Sequence, residues 1–386
     1  MPASSSQASR RPCICIIGTR PEVIKMAPVI RRLRDSDWAE PIVVAVGQHI
    51  ELLDQAIADF GLHISHRLEV RRRRQSIMEV ASIILDRLDL LLDRLDAACV
   101  IAQGDTTTVM AASLVAFHRG LPFVHVEAGL RTGDLAAPFP EEFNRRVVSL
   151  ATALHCAPTR QAADNLLAEG VRAADCIVTG NTVIDALLDM AARKPPLPPG
   201  FPAVPRPILV TAHRRENAGP PLRRMLAALR EAVERYPDIG LFFPVHPNPD
   251  TRRTASEVLA GHDRICLSAP VGYAHLVAAL AASWIVVTDS GGLQEEAPAL
   301  GKPVLVLREV TERPEAVDCG AAALMGTDPA RLLAMIAELH GDTRAFARMA
   351  QVRFPYGDGR AAERIVDGLR GRLAPDAARS CATQAM

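Results

Sequence analysis

The chain has 386 residues, 49% hydrophobic and 23% charged, which is more than one ordinary core accommodates and a balance typical of globular folds. Lysine plus arginine equals aspartate plus glutamate, 44 each, so no net field draws the protein to nucleic acid and an anionic ligand must be held by local groups. No apolar stretch approaches the roughly 20 residues that span a bilayer, which excludes a membrane-crossing helix.

Residues 1–11 are rich in Ser and Arg and read as a tail. The first apolar run, 13–18, carries Cys13-x-Cys15, which reads as two core thiols on a buried strand. The eight cysteines form no CxxC pair and no metal-ligand spacing. With no signal peptide, a reducing cytoplasm is expected. Further strands are expected at 41–46, 99–103, 123–126, 154–157 and 176–179. Helical spacing fills the gaps at 23–34, 50–60, 76–95, 107–119, 142–151 and 160–169. Strict alternation of this kind implies parallel βαβ units. Residues 194–207 read KPPLPPGFPAVPRP; proline lacks the N–H a helix needs, so this segment is an extended linker.

The alternation then restarts. Strands are expected at 208–211, 241–245, 264–267, 284–288 and 303–307, and helices at 221–235, from 249, at 274–282 and at 293–300. The expected fold class is α/β, with two Rossmann-like domains, 12–193 and 208–358, and a ligand cleft between them at the C-terminal strand edges. A last helix, 359–373, could pack back onto the first domain, a choice the sequence leaves open. Residues 375–386 read as a second tail.

Several strand ends carry groups suited to chemistry. Gly18-Thr19-Arg20-Pro21-Glu22-Val23-Ile24-Lys25 follows the first strand, where a helix N-terminus and two cations suit an anionic ligand. Gln103-Gly104-Asp105-Thr106 follows the strand at 99–103; the plainer reading makes Asp105 the N-cap of the next helix. Glu127, between Val126 and Ala128-Gly129, ends another strand, and Glu141-Glu142 open a helix, where the dipole favours acids. Asp105, Glu127 and Glu141 are thus delivered to one sheet edge, an arrangement that drives pKa values apart and suits proton transfer.

In the second half, His213 and His246 end successive strands, the first beside two arginines. Thr288-Asp289-Ser290-Gly291-Gly292 joins a strand to a helix, with small residues and N–H groups that can cradle a diphosphate. Glu296 lies one turn on, placed to accept from a ribose diol, and Arg313 adds a cation. Neither G-x-G-x-x-G nor G-x-x-x-x-G-K-[ST] occurs, against a dinucleotide enzyme or a P-loop ATPase.

The motifs GTRPEVIKMAP, GDTTT, HVEAGLRTGD, PFPEEFNRR, HRREN, TDSGGLQEEAP, GKPVLVLR, TERPEAV and YGDGRAAERI occur in unbroken order from 13 to 369. Together they resemble the non-hydrolysing UDP-N-acetylglucosamine 2-epimerases. The resemblance implies a glycosyltransferase-B-like fold, a homodimer, no cofactor and no metal, and a product that feeds surface polysaccharide synthesis. It implies anti elimination of UDP to 2-acetamidoglucal and syn re-addition. Asp105, Glu127, Glu141 and His213 then fall on catalytic positions. Arg20, Lys25, Ser290, Gly291, Gly292, Glu296 and Arg313 fall on substrate-binding ones. Gln48, Arg74 and His246 match a site for a second UDP-N-acetylglucosamine acting as activator. The chain departs from the family at Ile50 and Glu51, beside that activator segment, and at Val271 on the uracil side.

Other functions remain compatible with these residues. The same chemistry could act on a UDP-diacetamido uronic acid. Hydrolysis could release free N-acetylmannosamine, a retaining glycosyltransferase would share the Ser-Gly-Gly turn, and a sensor would bind without chemistry. Three acids in the first half favour epimerisation over the last two.

Overall fold

The computed structural model describes residues 10–47, 51–70, 76–214, 217, 219–311 and 313–373. Their contacts divide the chain into two compact units. The first runs to Asp185 and resumes at Gly359; the second is Ala186–Asp358.

The first unit follows the order β1 (Arg11–Ile17), α1 (Arg20–Asp35), β2 (Ala39–Val46), α2 (Glu51–Phe60), β3 (His66–Leu68), α3 (Ile77–Leu92), β4 (Cys99–Gln103), α4 (Thr107–His118), β5 (Phe123–Val126), α5 (Glu141–Ala151), β6 (Thr152–Ala157), α6 (Arg160–Ala168) and β7 (Cys176–Val178). The helix α7 (Thr182–Ala192) carries the chain out of it. Its seven strands lie in the order β3-β2-β1-β4-β5-β6-β7, every pair parallel. The direction of winding reverses between β1 and β4, so the loops after these two strands flank the crevice where open α/β sheets bind ligands.

Strands buried on both faces account for the apolar runs. All five residues of β4 are buried, and Ile14, Ile16, Val44, Val100 and Ala102 join Ile84, Leu88 and Val109 in one core. Cys13 and Cys15 are fully buried core thiols, and burial pushes the Cys15 thiol up, which makes it inert.

The second unit contains β8 (Arg206–Thr211), α8 (Pro220–Arg235), β9 (Ile239–Pro244), α9 (Pro249–Leu259), β10 (Ile265–Ser268), α10 (Tyr273–Ala282), β11 (Ile285–Thr288), α11 (Gly291–Ala299), β12 (Val304–Val306), α12 (Pro314–Asp318), β13 (Ala322–Leu324), α13 (Pro329–Gly341) and α14 (Thr343–Met349). Six parallel strands run β10-β9-β8-β11-β12-β13, with the reversal between β8 and β11. The loops after those two strands carry His213 and the Ser-Gly-Gly turn.

Some elements differ from the sequence reading. β8 starts at Arg206, two residues inside the proline-rich segment, because Pro207 needs only its carbonyl there, which accepts from the Trp284 N–H at 2.7 Å. The three-residue strands β3 and β13 are too short to register as apolar runs. The final helix, α15 (Ala361–Leu373), packs on α1, and its first N–H groups, Ala361 and Ala362, donate to Asp185 at 3.1 and 2.8 Å. Among the described residues no helix is long and apolar enough to cross a membrane.

Candidate active site

The first unit gathers its acids around α1, β4, β5 and α5. Glu127 follows β5 directly and adopts a left-handed backbone, φ 65°, which is costly for a non-glycine residue and is found where a side chain must be re-aimed. Its carboxylate is buried and faced by donors: Lys25 Nζ at 2.6 and 2.7 Å, Asn181 Nδ2 at 3.0 Å, and Gln103 Nε2. Gly129, two residues on, has φ 89°, and a Cβ there would lie 2.1 Å from the Ala162 carbonyl oxygen. Only glycine lets this turn approach α6 so closely.

Asp105 takes a different part from the expected cap. Thr106 caps α4, its hydroxyl accepting from the Val109 N–H, and this leaves the Asp105 carboxylate to accept from Arg145 Nη2. The neighbouring Asn144 Nδ2 donates to the Asp105 carbonyl at 2.9 Å. Burial pushes the Asp105 carboxyl above its ordinary value; Arg145 opposes this, while the charges of Glu127 and Glu141 add to it. Both other acids therefore bear on Asp105. Glu141 is the first residue of α5 and half-buried, whereas Glu142 beside it is fully buried and accepts from the Thr132 N–H at 3.1 Å and pairs with Arg145 at 3.2 Å. Of the two acids, Glu142 holds the 130–134 loop, while the charge of Glu141 is felt at Asp105. Arg20, the first residue of α1, is half-buried.

Glu22, which motif reading passed over, ties this edge together. It is 2% exposed and completes a capping box with Thr19. It accepts from the N–H groups of Gly18 and Thr19, and from the Thr106 hydroxyl at 2.7 Å. Burial outweighs these donors and raises its carboxyl from 4.5 to about 7. The folded chain thus keeps a proton between these values that the unfolded chain has lost, so stability falls as pH rises through that window, by up to about 3 kcal/mol. Glu22→Gln, which still caps, is expected to flatten the dependence of melting temperature between pH 5 and pH 7.5; an unchanged slope would refute this assignment.

In the second unit, Asp289 is fully buried at the end of β11 and organises the loop after β8. It accepts from the His213 N–H at 3.0 and 3.1 Å, the Arg214 N–H at 3.0 Å and Asn217 Nδ2 at 3.0 Å, and it lies 3.0 Å from His213 Nδ1. Burial pushes Asp289 upward, but these bonds outweigh it and hold the carboxyl below its ordinary 3.8. His213 is so fixed by Nδ1, and its ring stacks on exposed His246 with centroids 6.0 Å apart.

Ser290 is the N-cap of α11, yet its side chain makes no capping bond; its N–H donates to Thr288 Oγ1 at 2.9 Å. A Cβ on Gly291 would sit 3.2 Å from Arg313 Cζ, so the guanidinium lies against the first turn of α11, steered by Glu295 at 2.8 Å. Gly292 is exposed. Glu296 is buried and accepts from the Tyr273 hydroxyl at 2.7 Å. Cation, helix N-terminus and acid thus meet at one strand end, an arrangement whose chemistry suits a nucleoside diphosphate. Gln48 and Arg74 lie outside the described residues. Among the described residues no group of three His, Cys, Asp or Glu side chains could hold a metal ion.

The family model for UDP-N-acetylglucosamine 2-epimerase matches residues 31–370. The chain belongs to this family. The UDP-N-acetylglucosamine 2-epimerase of Bacillus subtilis (strain 168) is 43% identical over 356 residues, 92% of this chain and 93% of that protein. The Neisseria meningitidis UDP-GlcNAc 2-epimerase, solved bound to UDP-GlcNAc, superposes with a TM-score of 0.84 at 38% identity, covering 93% of this chain and 100% of that one. The S. aureus protein MnaA, solved with UDP, gives 0.82 at 38% identity, covering 94% and 97%. The fold of this epimerase-family member is accordingly that of two parallel-sheet α/β domains, glycosyltransferase-B-like.

Motif reading missed several residues that position the epimerase-family acids. Asn181 caps α7 through the Val183 N–H at 3.1 Å while donating to Glu127; a Gly-Asn turn before a helix is the signal that marks it. Arg145 and Asp289 carry no local signal of their partners. Asp289→Ala is expected to destabilise the second unit by about 3 kcal/mol, because buried donors lose their acceptor. Since the folded value is depressed, the wild-type contribution is present above pH 3.8 and lost as pH falls through the folded value. Urea unfolding followed by Trp284 fluorescence checks it, and a change under 1 kcal/mol would contradict it.

Proposed function

We propose that the chain inverts carbon 2 of UDP-N-acetylglucosamine reversibly, giving UDP-N-acetylmannosamine without a cofactor or metal. The observation that carries this reading is Asp105, on which the charges of Glu127 and Glu141 both act, with Glu127 itself paired to Lys25, in a chain that belongs to the 2-epimerase family. One carboxylate takes the proton from carbon 2 as the bond from carbon 1 to the UDP oxygen breaks, and the electron pair leaves with UDP. The 2-acetamidoglucal so formed takes a proton on the opposite face of carbon 2, and UDP returns to carbon 1. A base is needed because carbon 2 is only weakly acidic, and positioning makes its removal concerted with departure.

The leaving diphosphate gains charge, which the α11 N-terminus, Ser290 and Arg313 are suited to stabilise, with His213 and Arg20 as further contacts. Glu296 serves the ribose. A second UDP-N-acetylglucosamine acting as activator is assigned to Gln48, Arg74 and His246. Homodimerisation is supported by large apolar side chains left exposed on and around the adjoining helices α4 and α5, namely Phe117, Phe139, Phe143 and Leu150. A cytoplasmic location fits a nucleotide-sugar substrate.

Proton NMR of UDP-N-acetylglucosamine with the protein in deuterated water tests the reading. Signals of UDP-N-acetylmannosamine should grow while deuterium replaces the carbon 2 proton in both sugars. Free N-acetylmannosamine with stoichiometric UDP, or no exchange at carbon 2, would overturn it.

A further inference from the structure

His125 is a polar side chain in the middle of a buried strand. It is 1% exposed, the third residue of β5, aligned with Ala102 of β4 on one side and His155 of β6 on the other. Its Nε2 lies 2.8 Å from the Gly104 carbonyl oxygen. A carbonyl only accepts, so Nε2 carries the hydrogen. Nδ1 is then the bare nitrogen, and it is buried with no hydrogen-bond partner. The next residue of the strand, Val126, accepts from the Gly104 N–H at 3.1 Å. Gly104 is therefore held at both its polar groups by consecutive residues of β5.

The residues on either side of this clamp are Asp105, directly after Gly104, and Glu127, directly after Val126. Gly104 has φ 89°, and an added Cβ would meet nothing within 4 Å. Sterics do not restrain this turn, and glycine is the residue freest to leave its conformation. The polar clamp restrains the Gly104 side of the turn, as Asn144 and Arg145 hold the Asp105 side. Resting on the reading of Asp105 and Glu127 as proton-handling acids, we propose that His125 is a positioning residue that fixes the Gly104 turn and so the placement of Asp105 relative to Glu127.

The imidazole carries no proton traffic. Burial pushes it down to about 3; the Gly104 bond opposes this, His155 and Arg131 push the same way, and Glu127 opposes weakly. It stays neutral across any working pH, with one tautomer selected by the carbonyl.

Two variants separate clamping from other roles. His125→Leu leaves the Gly104 carbonyl without its donor, and His125→Gln restores an N–H at the position of Nε2. Expected for His125→Leu is a fall in kcat of about 10–100-fold, in the range seen when a catalytic group is misplaced by an ångström. KM and UDP affinity should stay within about twofold, and His125→Gln should recover most of kcat, with the limbs of the pH profile unmoved. Wild-type kcat in His125→Leu, failure of a folded His125→Gln to recover, or a shifted limb in His125→Gln would each overturn the proposal.

A readout independent of turnover keeps this test apart from the functional one. Amide exchange at Gly104 and Asp105 should accelerate in His125→Leu and not in His125→Gln, and the wild-type ring should show a pH-invariant Nε2–H signature in nitrogen-15 NMR between pH 5 and pH 8. That contrast in a protein that epimerises nothing would overturn the function and leave the clamp standing; its absence would overturn the clamp. Should His125→Leu fail to fold, the nitrogen-15 signature and His125→Gln decide alone: a titrating ring or the other tautomer overturns the proposal.

Discussion

Asp105→Asn and Glu127→Gln are each expected to lower kcat for epimerisation by about 10²–10⁴, the range typical of a lost general acid or base. Each substitution keeps the shape of the side chain while removing the ability to exchange a proton. Asp105 is the more informative of the two. Its value is raised by burial and by its acidic neighbours against the pull of Arg145, so it holds a proton more readily than an ordinary aspartate. Glu127 sits in the opposite environment, its oxygens faced by Lys25, Asn181 and Gln103. Two carboxyl groups in contrasting surroundings are what a reaction needs when one face of carbon 2 gives up a proton and the other receives one.

A limb of the pH profile is expected above the ordinary aspartate value of 3.8, where Asp105 exchanges its proton. It is an acidic limb if Asp105 removes the carbon 2 proton and a basic one if Asp105 delivers it. Chelators should leave turnover unchanged. The measurement is kcat with carbon 2 exchange in deuterated water, alongside melts that show the variants folded. A loss under tenfold in both variants, or activity that returns only with added divalent metal, would refute the assignment.

Gly291→Val is expected to weaken UDP binding by about 10–100-fold, the equivalent of one or two charge-assisted hydrogen bonds. The first carbon of any side chain at this position meets the Arg313 guanidinium at 3.2–3.3 Å, and the valine methyls reach further. The guanidinium would have to leave the first turn of α11, and the N–H groups of that turn would be covered. Gly291 is not among the residues with positive φ, so the backbone tolerates valine without strain and the variant should fold. Calorimetric titration with UDP is the test. Affinity equal to wild type in both Gly291→Val and Glu296→Ala would remove the diphosphate and ribose assignments together.

Much of the site was legible because its motifs are local. The Ser290-Gly291-Gly292 turn, the helix that follows it and Glu296 one turn on are consequences of residues within a span of seven. Asp105 shows where such reading stops. Thr106 next to it caps helices equally well, and nothing nearby says which of the two will do so. The choice falls to Thr106 because Arg145, forty residues later, claims the Asp105 carboxylate. Glu141 and Glu142 pose the same problem, since both suit a helix N-terminus and only burial separates the holder of the loop from the member of the cluster.

By itself the sequence determined the α/β alternation, the two-part organisation and the strand ends that bear the candidate residues, because periodicity, proline and glycine act over a few residues. The tertiary structure alone decided which partner each acid has, that Asp289 holds His213, and that α15 returns to pack on α1 with its N–H groups on Asp185. Charge interactions and burial depend on distance in space, and residues that meet across tens to hundreds of positions leave no pattern in the sequence between them.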